Sequence, residues 1–231
     1  LTGDEQLPTA WPIDGTTGYD ALAEIDRVLI DGGARRELEA HATEVAADSP
    51  DGPPPRRWSD FVHDTKRDVA DRLLRSEVLR IERDLRRHGG VPDGVGPLDD
   101  AIAELLACFP VYRSYLPVGA EHLDAAAVDA ARRRPDLTAE LATLLPRLHD
   151  PADPGAIRFQ QTSGMVMAKG VEDNAFYRSS RLGSLTEVGG DPAELALDVD
   201  AFHRRQQLRQ AAFPRSLTTL STHATKRGED V

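Results

Sequence analysis

The feature that most constrains this chain is a helical repeat of apolar residues in its first half. Between positions 59 and 88 the apolar side chains recur every three or four residues, at Phe61, Val62, Val69, Leu73, Leu74, Val78, Ile81 and Leu85. That period is typical of an amphipathic helix. Ser59 is a suitable N-cap and Gly89-Gly90 a suitable stop, so the pattern predicts one long helix over 59–88. The interleaved Asp and Arg residues favour a solvated face with i,i+4 ion pairs over a binding stripe.

The same period continues along the chain and predicts a mainly α protein. We expect helices over 98–109, 121–134 and 138–149, the last bent or ended early by Pro146. Residues 157–181 are predicted as two helices around Gly164 and Gly170, and 193–212 as a helix that starts beside Pro192. Residues 31–55 are predicted to be mostly loop, because the Pro-rich run 49–55 cannot sustain a helix or a central strand. The glycines of 15–20 predict a tight turn that opens a short helix.

One segment is predicted to be a strand and not a helix. Residues 216–222 form a short run rich in β-branched threonine, which predicts a short buried strand of the kind found in parallel barrels. The strand would end at His223, where the sequence becomes polar. In barrel enzymes the catalytic groups lie at such carboxyl ends of strands.

Charge and cysteine content exclude several classes of function. A formal net charge of −11 argues against a nucleic-acid partner, because phosphates require a basic face. The chain has no apolar run of the ~18 residues that a membrane helix needs and no signal peptide, so we expect a cytoplasmic protein. The single cysteine, Cys108, excludes an internal disulfide and is interpreted as a buried inert thiol. The histidines lack metal-ligand spacing, so no metal site is predicted.

Two polar runs carry the candidate chemistry. The first, 167–178, contains Lys169, Glu172, Asp173, Tyr177 and Arg178. Aromatic rings stack on the C–H faces of sugars and charged groups bond their hydroxyls, so this run suits a carbohydrate. The alternative is a helix that carries ordinary surface ion pairs. The second run, 218–230, follows the predicted strand.

Both runs resemble maltooligosyl trehalose synthases, intramolecular glucosyl transferases of the α-amylase clan. The resemblance is strong at 12–20, 157–191 and 216–231 and loose between them. It implies a fragment of a (β/α)8 TIM-type barrel that carries a helical insertion domain. The barrel would supply 1–55, including a connecting loop, and 151–231, which holds the substrate-site motifs. Residues 56–150 would form the all-helical insertion.

The activity implied is that of a (1→4)-α-D-glucan 1-α-D-glucosylmutase. This enzyme converts the reducing-end α-1,4 bond of a maltooligosaccharide to the α,α-1,1 bond of trehalose, with no cofactor. Its configuration-retaining mechanism needs one carboxylate as nucleophile and another as acid–base. The clan adds a third carboxylate, which grips sugar hydroxyls in the transition state.

The resemblance also assigns roles near the end of the chain. His223 would hydrogen-bond the sugar that is attacked, the alternative being a buried histidine bonded to a backbone carbonyl. The third carboxylate would follow directly, but Ala224 stands there, either engineered or diverged. Glu187 would shape the reducing-end side of the site. Lys226 and Arg227 either contact substrate or pair with acids to hold the loop.

The other two catalytic carboxylates would lie outside this chain, which we interpret as an inactive segment of a larger enzyme. Its partners would be the rest of the barrel, the maltooligosaccharide substrate and, in the pathway, maltooligosyl trehalose trehalohydrolase. The competing hypotheses are a divergent inactive homologue and a non-catalytic helical interaction module.

Overall fold

The structure, a computed structural model, describes residues 5, 7–48, 57–87, 91, 95–178 and 182–228. The chain divides into two compact units, one of Leu1–Ser59 with Phe176–Val231 and the other of Asp60–Ala175. The prediction of a mainly α chain is confirmed. Within the described ranges there is no β-strand, only an isolated bridge between Tyr115 and Val118. No helix in this part of the chain has the length and apolar character needed to cross a membrane.

The described α-helices, numbered in chain order, are α1 (Tyr19–Val28), α2 (Arg35–Ala47), α3 (Trp58–Asp71), α4 (Arg75–Arg87), α5 (Asp99–Cys108), α6 (Ala120–Arg133), α7 (Thr138–Leu148), α8 (Pro154–Met167), α9 (Phe176–Arg178) and α10 (Val199–Ala212). A π-helical stretch, Ala168–Ala175, joins α8 to α9. Single 3₁₀ turns lie at Gly32–Ala34, Pro135–Leu137 and Gly183–Thr186.

The predicted long helix over 59–88 is wrong as a single element, because a turn at residues 72–74 separates α3 from α4. The apolar stripe explains the turn. Val69 and Leu74 are both buried but five residues apart, which places them out of phase on one helix. The turn resets the phase, leaves Leu73 65% exposed, and lets Val78 and Ile81 become fully buried. Gly89-Gly90, the predicted stop, lies outside the described residues.

The Asp60–Ala175 unit is built around one apolar core. Helix α4 packs against α5 and α8, and α6 packs against α5. The core is made of fully buried side chains from these helices and α7, among them Val78, Ile81, Leu85, Ile102, Leu105, Leu106, Leu144 and Leu148. The helices predicted over 98–109 and 121–134 are confirmed as α5 and α6, and α7 continues past Pro146 to Leu148.

The predicted break of 157–181 into two helices at its glycines is wrong. Helix α8 passes Gly164 without interruption and runs on into the π-helical stretch through Gly170. Gly170 is needed there because a Cβ would lie 2.8 Å from the Cα of Lys66 on α3. The glycine therefore allows close approach of two helices rather than ending one. Asp153 caps α8 by accepting a hydrogen bond from the Gly155 N–H at 2.7 Å.

In the other unit, the predicted turn at 15–20 is confirmed. Gly15 and Gly18 have φ of 142° and 96°, and α1 starts at Tyr19. The loop predicted over 31–55 is wrong in its first half, because α2 occupies Arg35–Ala47. That stretch is rich in Ala, Glu and Arg, and their helix propensity outweighs the neighbouring prolines. The prolines at 53–55 lie outside the described residues.

Two further predictions in this unit are corrected. The helix expected over 193–212 begins only at Val199, where Asp198 accepts a hydrogen bond from the Ala201 N–H at 2.8 Å, so Pro192 is not its first residue. The strand predicted over 216–222 is irregular backbone. It follows the 15–18 turn, where Leu217 N–H donates to Thr16 at 3.2 Å, but it forms no ladder. Leu217 and Leu220 are 63% and 61% exposed, so the segment lacks the burial of a barrel strand.

Candidate functional site

A buried carboxylate organises the polar run near the end of the chain. Glu187 is fully buried, and its two oxygens accept hydrogen bonds from the backbone N–H groups of Lys226 and Arg227 at 2.8 and 2.7 Å. Two charge-assisted hydrogen bonds to adjacent backbone donors fix the path of this loop.

Arg227 extends the network to helix α1. Its Nη2 donates to both oxygens of Asp26, at 2.8 and 2.7 Å, and its Nε lies 3.5 Å from Glu187 Oε1. Hydrogen bonding to Asp26 raises the pKa of Arg227. Burial raises the pKa of Asp26, with the Arg227 guanidinium opposing that rise. Arg227 thus pairs with the acids Asp26 and Glu187, which is the second of the two roles predicted for it, holding the loop.

An aromatic platform lies under Lys226. The Lys226 ammonium is 5.1 Å from the ring centroid of Tyr177 and 5.8 Å from that of Phe176, which are cation–π distances. Phe176 is buried and stacks on Trp58 with ring centroids 6.0 Å apart. Tyr177, by contrast, is 70% exposed, and Arg178 beside it is also exposed. An exposed ring next to a fixed ammonium is a surface on which a sugar can stack and hydrogen-bond.

His223 and Ala224 occupy an exposed turn of the same unit. The Thr222 N–H donates to Thr225 Oγ1 at 2.9 Å, the Thr225 N–H donates back to the Thr222 carbonyl at 3.2 Å, and the Ala224 N–H donates to Thr222 Oγ1 at 3.2 Å. His223 is exposed, so the alternative of a buried histidine does not hold. The Ala224 methyl group can neither accept a hydrogen bond nor carry charge.

The remaining predicted residues lie in the Asp60–Ala175 unit. Lys169 Nζ pairs with Asp173 Oδ2 at 2.6 Å, and both side chains are half exposed. Glu172 accepts a hydrogen bond from the Tyr112 hydroxyl. Lys169 also lines a cavity of about 640 Å³ together with Tyr112 and Tyr115. Lys169 and Asp173 thus form a surface ion pair, which is the alternative to a sugar-binding role for this run, and Lys169 also borders an aromatic-lined cavity.

The structure therefore groups the predicted residues in two sets. Tyr177, Glu187, Lys226 and Arg227 belong with the 222–225 turn in one unit, and Lys169, Glu172 and Asp173 belong to the other. Sequence reasoning missed Asp26, which is 201 residues from its partner and sits in an unremarkable helix. It also missed Trp58, although the aromatic character of that residue was a usable signal.

A second buried polar cluster was not foreseen. His63 Nε2 lies 2.8 Å from Glu104 Oε1, which in turn lies 3.6 Å from the Cys108 thiol. The hydrogen bond to Glu104 raises the pKa of His63, and burial raises that of Cys108. Although burial opposes it, the contacts with His63 and Arg67 lower the pKa of Glu104. One helical turn along α3, Lys66 is almost completely buried, donates to the Phe109 carbonyl at 2.5 Å, and has its pKa lowered to about 8 by burial.

Comparison with known proteins bears directly on the two polar runs. No protein-family model matches the chain. The solved structure of maltooligosyltrehalose synthase from Arthrobacter ramosus is 53% identical over all of this chain, with a TM-score of 0.89. The chain is homologous to a segment of the maltooligosyl trehalose synthases. It spans 29% of the Arthrobacter ramosus chain.

Two other relatives agree with this assignment. A Mycobacterium tuberculosis protein named "Putative maltooligosyl trehalose synthase" is 38% identical over the whole chain, which again spans 29% of its length. The crystal structure of the Sulfolobus tokodaii hypothetical maltooligosyl trehalose synthase is 26% identical over 98% of the chain and 27% of its own length, with a TM-score of 0.69. The predicted resemblance of the chain to this family is thereby confirmed.

Proposed function

We propose that this chain supplies part of the substrate site of a maltooligosyl trehalose synthase, the enzyme that converts the reducing-end α-1,4 bond of a maltooligosaccharide to an α,α-1,1 bond. The observation that carries the proposal is the identity of 38% and 53% to named relatives along the entire chain. Within that enzyme the chain would be a fragment of a (β/α)8 barrel, contributed by 1–55 and 151–231, with 56–150 as a helical insertion.

The residues of the site divide into those that contact sugar and those that hold the loop. Tyr177 and Lys226 offer an exposed ring and a nearby ammonium, a combination that suits a glucose ring and its hydroxyls. By the family resemblance, we also assign substrate-binding roles to His223, Arg178, Lys169, Glu172 and Asp173. Glu187 and Arg227 are positioning residues, because their hydrogen bonds are directed at the backbone and at Asp26.

Ala224 stands where the family resemblance places the carboxylate that stabilises the transition state. An alanine cannot stabilise positive charge that develops on the sugar ring, and we infer that the chain by itself does not catalyse the transfer. A complete enzyme would act in the cytoplasm, where a maltooligosyl trehalose trehalohydrolase would consume its product.

The experiment is a segment exchange in the Arthrobacter ramosus enzyme, whose matching segment is 53% identical. One chimera carries the present chain and a second carries it with Ala224→Asp. A preorganised group aimed at transition-state charge is worth about 10²–10³ in rate, so the Asp chimera should form trehalose-ended product from maltopentaose at least that much faster. Its KM should change far less, because the interaction develops mainly in the transition state.

Two outcomes would contradict the proposal. If both chimeras fold and are equally active, Ala224 is not at the catalytic position. If both fold, bind maltopentaose and remain inactive, the segment does not supply a working part of this enzyme. The unmodified Arthrobacter ramosus enzyme is the positive control.

A further inference from the structure

Three side chains of metal-binding type converge between helices α3 and α5. His63 comes from α3, whereas Glu104 and Cys108 lie one helical turn apart on α5. Their ligand atoms, an imidazole nitrogen, a carboxylate oxygen and a thiol sulfur, all lie within 4.8 Å of one another. We propose that these three residues bind a thiophilic divalent cation of the Zn²⁺ class. The site belongs to the helical unit and is independent of the proposed transferase function.

Two of the three ligand distances are known individually, and all three ligand atoms lie within 4.8 Å of one another. Zn–O and Zn–N bonds of about 2.1 Å and a Zn–S bond of about 2.3 Å place tetrahedral ligands about 3.4–3.6 Å apart. The Glu104 oxygen and the Cys108 sulfur are already 3.6 Å apart. The His63 nitrogen and the Glu104 oxygen are 2.8 Å apart because they share a hydrogen bond, and they must separate by about 0.6 Å to reach the tetrahedral spacing. A rotation of the His63 imidazole about its Cβ–Cγ bond can supply that movement.

The surroundings orient two of the ligands. The second ring nitrogen of His63, Nδ1, lies 3.3 Å from Asp64 Oδ1 and can donate its N–H there once Nε2 has released its proton and binds the ion. Glu104 Oε2 accepts a hydrogen bond from Arg67 Nη1 at 2.8 Å and leaves Oε1 to the ion. Carboxylate-backed histidines and hydrogen-bonded carboxylates are the usual outer partners of protein metal ligands.

The charge balance also fits a divalent ion. Cys108 binds as the thiolate and releases its proton to solvent, so the thiolate and Glu104 together neutralise a 2+ charge. Three arginines lie at this site, and each is paired with another acid: Arg67 with Asp71, Arg133 with Asp129 and Asp60, and Arg134 with Asp100 and Asp136. Their positive charges are thus largely offset before an ion binds.

Access and ligand type narrow the choice of ion. His63 and Glu104 line a cavity of about 500 Å³ with Asp64 and the three paired arginines, which leaves room for a fourth ligand from solvent. A set of one thiolate, one imidazole and one carboxylate is too soft for Ca²⁺ or Mg²⁺, which prefer oxygen ligands alone. Binding would link α3 to α5 and stabilise the unit.

The test uses the 231-residue chain without an affinity tag, titrated with Co²⁺ and then Zn²⁺. Cys108 is the only cysteine in the sequence, so a thiolate-to-cobalt charge-transfer band can arise from no other sulfur. We expect that band at one equivalent of Co²⁺ and its loss when Zn²⁺ displaces the cobalt. A hundredfold excess of Zn²⁺ over its Kd should raise the Tm by roughly 5–10 °C.

Variants separate the site from general cation binding by an acidic surface. Cys108→Ser should abolish the band. His63→Gln keeps a hydrogen-bond donor toward Glu104 but removes the imidazole ligand, and it should weaken Zn²⁺ binding at least tenfold. The matched control is His149→Gln, because His149 also pairs with a carboxylate, Asp124 at 2.9 Å, but is not part of the cluster. This variant should bind Zn²⁺ as tightly as the parent. Absence of the band in the folded parent chain, or equal Zn²⁺ affinity in parent and His63→Gln, would overturn the proposal.

Discussion

The structure predicts that Glu187→Gln destabilises the unit formed by Leu1–Ser59 and Phe176–Val231. Each oxygen of Glu187 accepts one backbone N–H, from Lys226 and from Arg227, and the side chain is fully buried. Glutamine keeps one acceptor oxygen but turns an NH₂ group toward the other N–H donor. One charge-assisted hydrogen bond is lost and the second becomes neutral, which costs about 2–4 kcal/mol.

The assay is urea denaturation of the 231-residue chain, combined with hydrogen exchange of the Lys226 and Arg227 amides. We expect a lower unfolding midpoint and faster exchange at both amides. Asp14→Asn is the matched control, because Asp14 and Arg215 form an exposed pair in the same unit, 3.3 Å apart. That variant should keep the parent midpoint. An unchanged midpoint and unchanged amide protection in Glu187→Gln would refute the view that this carboxylate holds the loop.

Two further predictions concern the helical unit. Gly170→Ala should destabilise it by about 1–3 kcal/mol in urea denaturation, because the new methyl group meets α3. The matched variant Gly164→Ala should be neutral or stabilising, because the nearest atom to its new methyl group is 3.5 Å away. Equal unfolding midpoints for the two variants would contradict this packing. The second prediction concerns Lys66, whose pKa in the folded chain is lowered to about 8 by burial. Between pH 8 and the ordinary lysine range the unfolded chain therefore binds one more proton than the folded chain, so the free energy of unfolding should rise with pH across that window. Denaturation at pH 7.5 and 9.5 should show this rise, and it should be smaller in Lys66→Met.

The elements that sequence reasoning found are those whose cause is local. Helices α5 and α6 follow from the spacing of apolar residues and from the glycine and proline at their ends. The turn before α1 follows from Gly15 and Gly18, whose positive φ angles disfavour residues with a Cβ. In each case the information lies within a few residues of the element.

The failures come from context that no local window contains. The break between α3 and α4 depends on which side of each helix faces the core, and not on any helix-breaking residue at 72–74. The 216–222 segment has β-branched residues that favour extended structure, but a strand also needs a neighbour to complete its ladder. Its described backbone partner is the 15–18 turn, which offers single hydrogen bonds only.

The candidate site shows the same division. The aromatic and charged residues of the two polar runs predict a sugar ligand from their residue types alone. The roles of individual residues depended on partners far away in sequence, such as Asp26 for Arg227 and Tyr112 for Glu172. Sequence spacing likewise gave no sign of the His63–Glu104–Cys108 cluster, because its members come from two helices about 40 residues apart.

The loop around Ala224 keeps its shape without help from the alanine side chain. Its turn is closed by the hydroxyls of Thr222 and Thr225, and its exit is fixed by Glu187 through two backbone N–H groups. Ala224 contributes only its own N–H, its side chain is exposed, and it does not have a positive φ. An aspartate therefore fits this backbone without strain. A difference in activity between the Ala224 and Ala224→Asp chimeras would then report on the chemistry of the carboxylate, because the scaffold that presents it is the same in both.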